Sequence, residues 1–104
     1  MAITRFTTPP ISLLVKGVDI TAADVYVTIK QGTTEINLTD TDLTLTASGD
    51  DTQVEFSLTQ AQAGSLDFGS YAGIQVNWID SGVRYATEIA NVKIYENLYD
   101  EVIS

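Results

Sequence analysis

Histidine and cysteine are both missing from the 104 residues. Without histidine there is no Ser-His-Asp chemistry, no imidazole for general acid–base work, and almost no route to a zinc site. Without cysteine there are no disulfides, thiolate nucleophiles or thiolate metal sites. Basic residues are scarce as well: 5 against 14 acids, for a net charge of −9. Such a chain repels phosphate backbones, and no basic patch with interleaved aromatics offsets this, so nucleic acid is not an expected partner. The plain role of the acidity is solubility and suppression of self-association. Apolar runs such as Leu13-Leu14-Val15 are only a few residues long, far from the ~20 residues of a membrane span. Met1 to Thr7 lacks the basic start and continuous apolar stretch of a secretory signal. The expected compartment is the cytoplasm, unless the protein leaves within a larger assembly.

What is present is strand pattern. From Asp24 to Lys30 apolar and polar residues alternate without a break, placing Val25, Val27 and Ile29 on one face and Tyr26, Thr28 and Lys30 on the other. Gly32 ends the run, and Glu35 to Thr39 alternates again, predicting a hairpin from Ala23 to Thr39. Ile3–Thr7 reads as a short strand stopped by Pro9 and Pro10, and Ile11–Val15 as the next, on the opposite sheet. Leu43–Thr46 and Gln53–Leu58 flank a turn at Ser48–Asp51. Thr59–Gly64 has the N-cap and C-terminal glycine of one helical turn. Leu66 and Phe68 are expected to close the end of the core. Tyr71–Ile79 reads as a long strand with Ile74, Val76 and Trp78 inward, and Asp80-Ser81-Gly82 as a hairpin turn. In Val83–Tyr95 the apolar phase changes, so that Ala90, Val92 and Ile94 share one register while Val83, Tyr85 and Ile89 occupy the other. A β-bulge near Glu88–Ala90 reconciles them. The length fits one domain. The expected fold is all-β: an antiparallel immunoglobulin-like β-sandwich of seven to eight strands over residues 1–96, followed by a C-terminal tail at 97–104.

No motif carries catalysis. Asp40-x-Asp42 and Asp50-Asp51 offer carboxylates for Ca²⁺ but lack the rest of a binding loop, and aspartate in turns ordinarily bonds its own backbone. Glu55 and Glu88 stand among strand residues, where an outward solvated glutamate is the default rather than half of a glycosidase pair. Gly64, Gly69 and Gly73 make no phosphate loop. The expectation is no catalytic residue, no cofactor and no metal. Tyr26, Tyr71, Tyr85, Tyr95 and Tyr99 offer aromatic surface for sugars or proteins, or else cross-strand packing. Tyr95, Leu98, Tyr99, Val102 and Ile103 stand out as large apolar residues spaced by acids, which a fraying terminus does not need. They either dock on their own domain or insert into a neighbouring subunit.

Five blocks carry a resemblance: Asp24–Gly32, Phe56–Gln60, Ile74–Ile79, Ala86–Ile94 and Leu98–Ile103. Their order resembles small proteins of phages and prophages of Gram-positive bacteria, Firmicutes especially, encoded near tail and baseplate genes. More loosely it is similar to the N-terminal β-sandwich domain of upper baseplate proteins of lactococcal-type phages. The resemblance implies a non-enzymatic structural or assembly protein that acts through protein–protein contacts with phage tail or baseplate proteins, or with itself. It implies residence in the host cytoplasm during assembly, or in the virion tail, with no nucleic-acid or membrane partner. A carbohydrate- or host-surface-binding module is the alternative.

Overall fold

The computed structural model describes residues 2–103; Met1 and Ser104 lie outside the described residues. In chain order the elements are β1 (Ala2–Thr4), β2 (Ile11–Val15), β3 (Asp24–Gln31), β4 (Thr34–Leu38), β5 (Thr44–Ser48), β6 (Asp51–Phe56), α1 (Gln60–Gly64), β7 (Tyr71–Asp80), β8 (Val83–Ala86) and β9 (Ala90–Tyr95). One sheet has the order β1-β9-β7-β3-β4, with β8 also paired to β7, and the other has the order β2-β6-β5. The fold is an all-β sandwich. Taking β2, β3, β5, β6, β7 and β9 as strands B to G reproduces the B-E-D and G-F-C orders of immunoglobulin-like domains. Two details differ from the sequence expectation. There are nine strands among the described residues, because the expected final strand Val83–Tyr95 is split into β8 and β9. The β1–β9 pair is parallel, while the other pairs are antiparallel.

β3 lies inside the larger sheet, between the edge strand β4 and the central strand β7. Its alternation puts Val25, Val27 and Ile29 in the core with no exposed surface. Opposite them across β7 lie Trp78, Val76 and Ile74, all buried. The smaller sheet closes the core with Val15, Val54 and Phe56. Removing a buried side chain of the Ile29 kind costs about 2–5 kcal/mol. Leu66 is fully buried at one end, as expected, but Phe68 is half exposed. Its ring lies under the Arg5 guanidinium instead of over the core.

The turns follow local chemistry. Ser81 and Gly82 both have positive φ, the two-residue loop whose twist matches a β-hairpin. Thr59 caps α1: its hydroxyl accepts the Gln62 N–H while the Gln62 side chain accepts the Thr59 N–H. The helix carries the chain from the smaller sheet to the larger.

The bulge expected near Glu88–Ala90 is present. Asn77 lies opposite Ala86 and Ile74 opposite Ala90. Between these pairs, Gln75 and Val76 of β7 face Thr87, Glu88 and Ile89. Thr87 fills the gap in the ladder: its Oγ1 accepts the Val76 N–H at 3.1 Å, and its own N–H donates to the Val76 carbonyl at 2.9 Å. Val92 and Ile94 point into the core, whereas Ala90, Val83 and Tyr85 are exposed.

Candidate interaction surface

The outer face of the larger sheet is built by the residues that alternate with the core. β3 contributes Tyr26, Thr28 and Lys30. β7 contributes Tyr71, Gly73, Gln75, Asn77 and Ile79, β4 contributes Glu35 and Asn37, and β9 contributes Lys93 and Tyr95. Arg84 of β8 stands opposite Ile79, and its Nε donates to Asn77 Oδ1 at 3.2 Å. The bulge throws Ile89 onto this face, where its side chain covers Gly73; a Cβ there would lie 3.0 Å from it. Ile89 is nevertheless two-thirds exposed, and Tyr26 and Ile79 are each about two-fifths exposed.

Two shallow depressions share Thr28 and run together along β3 and β7. One, of about 380 Å³, is lined by Tyr26, Asn37, Asn77, Ile79 and Arg84 among others. The other, of about 350 Å³, is lined by Lys30, Gly32, Gly73, Gln75 and Ile89. Together they form one furrow with Arg84 at one end and Lys30 at the other. Lys30, Arg84 and Lys93 are three of the 5 basic residues of the chain, while of the 14 acids only Asp24 and Glu35 occupy strand positions of this face. The excess negative charge lies elsewhere. A comparison with protein-family models finds no match for this sequence, and a comparison with curated proteins finds none either.

The tail is the second surface. After Tyr95 the segment is tied down by polar contacts. Asn97 donates to the Arg5 carbonyl at 2.9 Å, Asp100 pairs with the Arg5 guanidinium, and Gln60 exchanges two hydrogen bonds with the backbone of Ile103. The apolar side chains take no part in this anchoring. Leu98 is 96% exposed, and Tyr95, Tyr99, Val102 and Ile103 are each about half or more exposed. The segment docks on its own domain through polar groups, Leu98 stands clear of it, and the other four apolar side chains keep about half or more of their surface exposed.

Several acids of the sequence candidates bond backbone groups in turns. Asp40 Oδ1 accepts the Val25 N–H, Asp42 Oδ2 the Thr39 N–H, and Asp51 Oδ1 the Gly17 N–H. Asp19 accepts both the hydroxyl and the N–H of Thr21, which holds its carboxyl below the ordinary aspartate value. Among the described residues no group of three or more acids converges as a metal site would require. Glu55 lies on the smaller sheet, bonded to Ser12, and Glu88 lies in the bulge of the larger one. They do not face each other across a cleft. Tyr85 stacks on Trp78 at 5.7 Å between ring centroids, the cross-strand packing role. The concentration of cations on one face was not visible in the linear sequence, since Lys30, Arg84 and Lys93 meet only through strand order.

Proposed function

We propose that this protein is a non-enzymatic structural or assembly subunit that works through protein–protein contacts, of the kind found with phage tails and baseplates. The observation that carries the reading is the tail, an apolar set that the fold anchors through polar groups and leaves about half or more exposed. A pre-anchored segment loses little freedom on binding, so its apolar surface converts efficiently into affinity. The phage assignment rests on the five-block resemblance. Tail and baseplate proteins produced with this chain should co-purify with it, and it should appear in particles or assembly intermediates. A chain that retains none of them and is absent from both contradicts the proposal.

The furrow favours a second reading. Tyr26 beside Asn37, Asn77 and Arg84 combines an aromatic platform with polar groups, the composition of a carbohydrate site. Retention on a glycan array or on host cell wall, lost in Tyr26→Ala, would support it. No retention would set it aside.

A further inference from the structure

We propose that the furrow on the outer face of the larger sheet receives the Tyr95–Ile103 tail of a second copy, so that the chain associates head to tail. The inference deepens the contact reading by naming the partner. Charge is the first argument. The furrow carries Arg84 and Lys30 at its ends, with Ile79, Ile89 and Tyr26 between and beside them. The tail from Tyr95 to Ile103 carries no basic residue and five large apolar residues, and with Asp100 held by the chain's own Arg5 it keeps Glu96 and Glu101 for a partner. One chain thus presents both an acidic apolar segment and a basic apolar recess, while its net charge of −9 disfavours most other pairings of two copies.

Placement is the second argument. The tail leaves the domain beside the start of β7, where the Gly69 N–H donates to the Ile94 carbonyl and the Ile94 N–H to the Ser70 carbonyl. The ten residues of β7 then run about 30 Å to Asp80, at a strand rise of about 3.3 Å per residue. Arg84, Ile79 and Tyr26 stand at that far end, and Arg5 and Gln60 hold the tail at the near one. The Lys30 end of the furrow lies near the start of β7, whereas the Arg84 end lies about 30 Å from where the tail is held, so the tail meets the Arg84 end only in another copy. Repeated in one direction, such a head-to-tail contact is heterologous and builds rings or filaments.

Sedimentation velocity of the full chain tests this with two variants, Leu98→Ser/Tyr99→Ser in the tail and Ile79→Ser/Arg84→Glu in the furrow, each verified as folded by circular dichroism. The wild type should grow beyond a dimer with concentration. Each variant alone should remain monomeric, with association at least tenfold weaker. Their equimolar mixture should form a one-to-one pair and nothing larger, because only one intact tail and one intact furrow remain to meet. A wild type that stays monomeric, a tail variant that assembles as well as wild type, or a mixture that forms no pair each overturns the proposal. A monomeric wild type that still co-purifies with tail or baseplate proteins overturns this pairing and leaves the contact reading standing.

Discussion

Thr52 is the buried polar side chain of the core, with no exposed surface. Its hydroxyl accepts the Ile20 N–H at 2.9 Å and donates to the Val18 carbonyl at 2.9 Å, tying the loop before β3 to the smaller sheet. Thr52→Val keeps the shape and strands both backbone groups. Urea unfolding should show a loss of about 2–3 kcal/mol, with Thr52→Ser retaining most of the stability. Gly64 is required for a different reason: a Cβ there would come within 2.2 Å of the Phe6 ring. Phe6 itself sits at φ 62°, with Arg5 over its ring and the Arg5 guanidinium donating to the Gly64 carbonyl. Gly64→Ala should cost about 1–3 kcal/mol by overpacking, and the cost should shrink in a Phe6→Ala background. Neither role was legible from neighbouring residues. Phe68 is a parallel case: its pattern predicted burial, yet its ring is half exposed and lies near Arg5, from the other end of the sequence.

At the scale of elements, β3 was legible to the residue because its alternation is local and uninterrupted. The hairpins at Gly32, Gly49 and Ser81-Gly82 were legible from turn chemistry. The bulge showed in the sequence as a change of apolar phase, but the phase alone could not tell that β8 and β9 both pair with β7. Nor could it show that Thr87 satisfies the ladder. Thr87→Val removes the acceptor of the Val76 N–H and should cost about 1–3 kcal/mol. Amide exchange at Val76 should accelerate while that at Val27 does not. Unchanged exchange at Val76 would mean that the backbone pairing alone holds the bulge. The parallel β1–β9 pair was not legible, because it joins the two ends of the chain and has no local signature.

For the whole molecule, the sandwich was legible and the candidate surface only in part. The apolar tail was visible as composition, whereas the furrow appears only when strand order brings Tyr26, Arg84 and Lys30 to one face. The central claim is that the exposed apolar residues of the tail serve a partner and not the fold. Equilibrium urea unfolding of the full chain, at a dilution where copies do not meet, tests it most directly. Leu98→Ser/Tyr99→Ser should unfold within about 0.5 kcal/mol of the wild type, the range of ordinary surface substitutions. A loss of about 2 kcal/mol or more would show that these side chains hold the domain together, and would contradict the claim.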